Sequence, residues 1–231
     1  MFWYDYYYIV LVVPAIILSF IAQAKVKSTY NKYARISNSK HITGAQAAQN
    51  VLMHYGIRDV KIECGHGKLS DHYDPRINTI RLSPEVFSGS SIASIGIACH
   101  EAGHAAQHAQ NYVPIKVRNL ILPVANFGSS AGVLIAILGY FLGFGILIDI
   151  GIILFAAVVV FQLVTLPIEF NASSRALKVI DETGMLYDEE KSGARKVLSA
   201  AAMTYVAAAA SSIIQLLRLI ILFGGRSNDR D

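Results

Sequence analysis

The sequence predicts a mainly α protein of integral membrane helices with a small cytoplasmic α+β part. Three observations carry that expectation. The chain of 231 residues is 54% hydrophobic and only 16% charged, too apolar for an ordinary soluble domain. Long stretches nearly free of charge alternate with basic segments. Between Val60 and Leu82 the pattern changes to short alternating runs, and a helix-patterned segment containing His100-Glu101-Ala102-Gly103-His104 follows. The net charge of +4 is dispersed, with no basic stripe interleaved with aromatics, so nucleic acid is not an expected partner.

Residues 1–24 read as an N-terminal membrane anchor. The aromatic cluster Met1-Phe2-Trp3-Tyr4-Asp5-Tyr6-Tyr7-Tyr8 precedes an apolar run from Ile9 to Ala24, and Lys25, Lys27, Lys32, Arg35 and Lys40 come after it. Aromatics at one end and cations at the other place the N-terminus outside. Ala22-Gln23-Ala24 imitates a signal-peptidase site, but the segment before the apolar run lacks the positive charge of a secretory signal, which favours an uncleaved anchor.

Residues 25–118 read as a cytoplasmic part. Thr43 to Gly56 is a short helix, with Thr43 as its cap, Ala45, Ala48, Leu52 and Tyr55 at helical spacing, and Gly56 as its stop. Val60–Cys64 and Ile77–Leu82 are strand-like, separated by the Gly65-His66-Gly67 turn, so two or three short strands precede the motif helix. Ile77–Leu82, the strand nearest in sequence to that helix, is the expected edge for an extended peptide or, equally, part of a plain hairpin. Cys64 and Cys99 form no C-x-x-C pair, and Cys99 lies off the face shared by the two histidines, as a packing residue would.

Ser88 or Ser91 can cap the motif helix, and Ile92, Ile95 and Cys99 give it an apolar face. Residues four apart on a helix share a face, so His100 and His104 can meet one metal ion while Glu101 stands about 100° away as a general base. With seven His among 231 residues and as many Glu, about 0.006 accidental H-E-x-x-H matches are expected, so the motif is specific. It calls for Zn²⁺ with three protein ligands, one open position and an acidified water. His108 lies about 12 Å from His100 along the helix, too far to share the ion. Gln107 and Gln110 stand where a metzincin would carry Gly and His, so the third ligand comes from elsewhere.

Residues 119–168 read as a transmembrane hairpin turning near Gly143-Phe144-Gly145, with Asp149 near its outer end. Residues 169–197 read as the third-ligand segment, 198–223 as a C-terminal membrane helix rich in Ala and Ser, and 224–231 as a tail. Residues 25 to 118 hold twelve Lys and Arg and residues 169 to 197 hold five, while the hairpin turn and residues 1 to 8 hold none. Both basic segments, and with them the motif helix and Glu169, therefore fall on the cytoplasmic side of a multi-pass cell-membrane protein.

Glu169, Glu182, Glu189 and Glu190 are the downstream carboxylates that could complete a His₂Glu sphere. The last three lie in a polar stretch that reads as a solvated turn and a helix start. Glu169 sits at a membrane exit beside apolar residues, where an unpaired carboxylate is costly; pairing with Arg175 or facing water is its alternative role.

At the motif helix the chain carries His100-Glu101-Ala102-Gly103-His104-Ala105-Ala106-Gln107. It also carries Asp71-His72-Tyr73-Asp74-Pro75-Arg76, Leu82-Ser83-Pro84-Glu85-Val86, Glu169-Phe170-Asn171-Ala172-Ser173-Ser174-Arg175-Ala176 and Ala200-Ala201-Ala202-Met203-Thr204-Tyr205-Val206-Ala207. In these blocks it resembles the YugP-like neutral zinc metallopeptidases, membrane proteases found mainly in bacteria. The resemblance implies zinc held by His100, His104 and Glu169 with Glu101 as base. Glu169-x-x-Ala172 also resembles the third-ligand helix of HtpX-type membrane proteases, which carry Asp where this chain has Ser173.

The expectation is therefore a zincin-like, gluzincin-like zinc endopeptidase that cuts polypeptides, membrane proteins among them, near the cytoplasmic face of the lipid bilayer. His72, Tyr73 and Arg175 are the candidate oxyanion or substrate contacts. The rival expectation is a non-enzymatic membrane scaffold with a structural metal site. A transporter would need several polar groups inside its spans, and the hairpin offers little beyond Asn126 and Asp149.

Overall fold

The computed structural model describes residues 8–67 and 70–223. The aromatic cluster at positions 1–7 and the tail 224–231 lie outside the described residues. The chain is mainly helical. A π-helical turn, Tyr8–Val12, enters α1 (Val13–Tyr33); α2 (Gly44–His54), β1 (Lys61–Cys64), β2 (His72–Asp74) and β3 (Thr79–Leu82) follow. Then come α3 (Pro84–Phe87), α4 (Ile92–Ala109), α5 (Val113–Phe127), α6 (Val133–Leu142), α7 (Gly145–Glu182) and α8 (Asp188–Phe223). Among the described residues four helical stretches are long and apolar enough to cross a membrane: Ile9–Tyr33, Val113–Leu142, Gly145–Glu182 and Asp188–Phe223.

The chain forms two compact units. The described part of the first consists of residues 8–22, 116–166 and 204–223. Its hairpin turns where expected: α6 ends at Leu142, and Gly143 takes the left-handed conformation at φ 73° that closes the helix before α7 begins at Gly145. The arms pack backbone to backbone, because a Cβ on Gly128 would strike Leu154 and one on Gly151 would strike Gly132. Small residues at such contacts replace the hydrophobic drive that lipid removes. Phe155, Val158, Val159 and Leu219 form this unit's buried cluster.

The second unit consists of residues 23–115 and 167–203 and holds the sheet and the motif helix. Thr43 caps α2 through a reciprocal capping box with Gln46, and Gly56 ends the turn at φ 69°. Ser91, not Ser88, caps α4, its hydroxyl accepting from Ser94 N at 3.1 Å. The core lies where α4 meets α2, the sheet and the second half of α7, with Leu52, Ile80, Ile95, Cys99, Ala176 and Ile180 buried. Burial pushes the Cys99 thiol far up, as an inert packing cysteine requires.

The sheet corrects the reading of the edge. Its order is β1-β3-β2, with β3 central, parallel to β1 and antiparallel to β2. Thr79–Leu82 is therefore the middle strand, its apolar side chains buried, and no extended peptide can add to it. The free edge on the β2 side is His72–Asp74, and β2 lies against α4. A three-residue strand carries too little alternation to announce itself in sequence. Glu190 is a second correction: far from solvated, it is 9% exposed and accepts from Ser39 N (2.7 Å), Ser39 Oγ (2.6 Å) and Tyr187 N (2.9 Å).

Candidate metal centre

Helical spacing brings His100 and His104 to one face of α4, and α7 crosses that face closely at Gly103. A Cβ there would lie 2.6 Å from Ala172 O, so only glycine permits this approach of the two backbones. The approach carries Glu169 to the histidines. His100 Nε2 and His104 Nε2 are 3.1 Å apart, and Glu169 Oε2 lies 3.3 Å from the first and 3.6 Å from the second.

Hydrogen bonds fix what each atom offers. Gln107 is wholly buried, and its Nε2 donates to Ile168 O (2.8 Å) and Asn171 Oδ1 (2.9 Å). A backbone carbonyl only accepts, so the amide orientation is set and Gln107 Oε1, 3.0 Å from His104 Nδ1, accepts from Nδ1–H. In the neutral ring that leaves His104 Nε2 with a lone pair facing Glu169. On the other histidine, His100 Nδ1 meets Ser173 Oγ at 3.1 Å. Ser173 thus sets a neutral hydroxyl against this imidazole.

Two imidazole nitrogens and a carboxylate oxygen therefore converge, all within 4.8 Å of one another. Glu169 is 5% exposed, and its Oε2 is buried without a hydrogen bond of good geometry, a costly state unless a cation answers it. Ligand atoms set tetrahedrally at about 2.0–2.1 Å from zinc stand about 3.3–3.4 Å apart, close to the three separations found here. The donor set fits zinc. Burial works to lower the His104 pKa, but Glu169, Glu101 and Gln107 outweigh it and raise it above the ordinary imidazole value. The negative potential that draws a proton there also draws a divalent cation.

Glu101 is held rather than free. Its Oε2 accepts from the backbone N–H of Tyr73 at 3.0 Å, so the edge strand β2 grips the carboxylate beside the histidines. The Tyr73 hydroxyl donates to Asn78 Oδ1 at 2.6 Å, and burial, then Asp59 and Asp74, push its pKa up. Arg175 is tied to Asn171 Oδ1 (2.7 Å) and Gln110 Oε1 (2.6 Å), with its guanidinium over the Tyr55 ring. His72 is exposed, and its Nδ1 lies 2.6 Å from Ser70 O, so Nδ1 carries the proton, and Nε2 meets no partner among the described residues. His108 packs its ring against Tyr73, 6.0 Å between centroids.

Reasoning from sequence singled out Ser173 but gave no sign of Asn171 or the Tyr73 amide. Gln107 was also missed, although it follows His104 by three positions on the same helix face. Asp71 and Asp74, prominent in the motif blocks, are structural. Asp71 accepts from Ser83 N (2.8 Å), and Asp74 binds Arg76 (2.9 Å), which holds the Asp74 carboxyl down at about 2.

The chain thus combines four helices long and apolar enough to cross a membrane with a cluster of two histidines and one carboxylate, the features of a candidate membrane-bound metal centre. The comparisons with known proteins agree: residues 8–224 match the family described as "Putative neutral zinc metallopeptidase", and the chain belongs to that family. It is 48% identical over 216 residues to the "Putative membrane protease YugP" of Bacillus subtilis (strain 168), an alignment spanning 94% of this chain and 96% of the relative. No solved structure matches the chain.

Proposed function

We propose that the chain is a gluzincin-like endopeptidase that hydrolyses peptide bonds of polypeptides near the cytoplasmic membrane surface, with His100, His104 and Glu169 as zinc ligands and Glu101 as base. The convergence of two imidazole nitrogens and one buried carboxylate oxygen, all within 4.8 Å of one another, carries this reading. Zinc, when bound, supplies Lewis acidity for the scissile carbonyl and the attacking water.

The chain's own residues do the rest. Glu101 keeps Oε2 on the Tyr73 amide and takes the water's proton at Oε1, then passes it to the leaving amine. Gln107 and Ser173 hold the two imidazoles with Nε2 directed inward. An extended substrate passes β2, next to α4, without using the Tyr73 N–H, which Glu101 holds. Arg175 donates to the tetrahedral oxyanion from the N–H groups not given to Asn171 and Gln110, the Tyr73 hydroxyl being engaged with Asn78, and His72 serves as a substrate contact. The cytoplasmic position rests on the twelve and five cations of the two basic segments. The proximity to the bilayer rests on Glu169 directly following the apolar run that ends at Ile168.

The test is cleavage of a quenched peptide library by purified protein in detergent, with zinc content measured alongside. In Glu101→Gln the amide oxygen can still accept from Tyr73 N–H, so zinc is expected to stay while the rate falls by about 10²–10⁴. No cleavage by either protein at equal zinc content would favour the scaffold instead.

A further inference from the structure

The second unit contains a cavity of about 1130 Å³, lined by α1, the second half of α7 and the first half of α8, which the peptidase chemistry leaves unused. Phe170, Leu177, Leu198 and Met203 line it as apolar side chains, and Lys25, Lys32, Arg195 and Lys196 line it as cations. Among the described residues none of these four is within ion-pair distance of a carboxylate, although Asp181 also lines the cavity and feels the Arg195 charge, and Lys32 stands over the Tyr33 ring; Lys178 is engaged with Glu182 and Lys191 with Asp181 and Asp188. Ser28, Thr29, Ser174 and Ser199 add hydroxyl groups to the lining.

The lining residues also mark a depth. Lys25 is the first charge after the apolar run Ile9–Ala24, Phe170 directly follows Glu169, the first charge after the uncharged stretch 150–168 of α7, and Arg195 and Lys196 lie just before the apolar stretch 198–223. All three helices pass from apolar to charged sequence at this cavity, as helices do at the headgroup layer of a bilayer. A plain excess of cytoplasmic cations explains the charges, but not why they share a cavity with apolar side chains.

We propose that this groove binds the headgroup of an anionic phospholipid. Lys25, Arg195 and Lys196 take the phosphate, the hydroxyls hydrogen-bond to its oxygens, and the apolar side chains receive the first carbons of an acyl chain. The occupant touches the segment of α7 that carries the metal centre, because Ser173, whose hydroxyl meets His100 Nδ1, also lines the groove. The proposal does not depend on peptidase activity, and its test reads binding alone.

Full-length protein in an uncharged detergent is titrated with short-chain phosphatidylglycerol, and binding is followed by native mass spectrometry and calorimetry. Parallel titrations use phosphatidylcholine of the same chain length, inorganic phosphate and hexaglutamate. Phosphatidylglycerol is expected to bind at least about tenfold more tightly than the other three. The triple variant Lys25→Gln/Arg195→Gln/Lys196→Gln should lose that preference, with an unchanged thermal midpoint to show that it is folded. Arg58→Gln/Lys61→Gln, basic residues outside the groove, should retain it. Equal binding of the two lipids, or full binding by the folded triple variant, would overturn the proposal. So would phosphate or hexaglutamate binding as tightly as phosphatidylglycerol.

Discussion

Replacing Gln107 by Leu separates the metal centre from its support. The side chain is fully buried, accepts from His104 Nδ1 at 3.0 Å, and donates to Ile168 O and Asn171 Oδ1. Asn171 keeps Arg175 at 2.7 Å and the Ile168 carbonyl keeps its place in the α7 ladder, so the orphan in Gln107→Leu is His104 Nδ1–H. Leaving one buried donor unpaired costs about 1–3 kcal/mol, which in a chain of this size lowers the thermal midpoint by roughly 2–10 °C. Loss of a partner behind a ligand histidine weakens metal binding about 10–100-fold.

Gln107→Glu separates the two effects. A carboxylate still accepts from His104 Nδ1–H but cannot donate to Ile168 O or Asn171 Oδ1, so zinc affinity should hold or rise while stability falls. The assay is competition for zinc with a fluorescent chelator, run beside thermal unfolding. Zinc affinity in Gln107→Leu within threefold of wild type would refute the role assigned to this amide.

Two further outcomes follow from the geometry. Gly103→Ala puts a methyl group 2.6 Å from Ala172 O and forces α4 and α7 apart, so it should cost about 1–3 kcal/mol and weaken zinc binding more than tenfold, read by the same chelator competition. Asp74 is held at about 2, below its ordinary value of 3.8, so its contribution is present above that ordinary value and is lost as pH falls towards 2. The difference in thermal midpoint between wild type and Asp74→Asn should accordingly shrink across that window.

Much of this was legible in the residues because it depends on short-range rules. Thr43, Ser91 and Gly143 act at helix ends through their own local chemistry, and H-E-x-x-H needs only the pitch of one helix. Glu169 could be singled out because an acid among apolar residues demands a partner, although the sequence offered Arg175 as an alternative and the structure ties Arg175 to Asn171 and Gln110. What stayed hidden depends on tertiary placement of groups with no sequence signature. The grip on Glu101 comes from a backbone amide, which every non-proline residue possesses. The exchange of edge and centre in the sheet follows from β1 pairing in parallel with β3 across the intervening β2, a crossover that alternation cannot reveal. Glu190 was misread because three donors from Ser39 and Tyr187 keep it buried, and Ser39 lies far away in sequence.

The most direct test of the account is zinc K-edge absorption spectroscopy of the purified protein, wild type beside Glu169→Ala. The account predicts one zinc per chain, with two imidazoles and only nitrogen and oxygen neighbours at about 2.0–2.1 Å, and zinc weakened or lost in the variant. A sulfur neighbour at about 2.3 Å, or an unchanged spectrum and zinc content in Glu169→Ala, would contradict it.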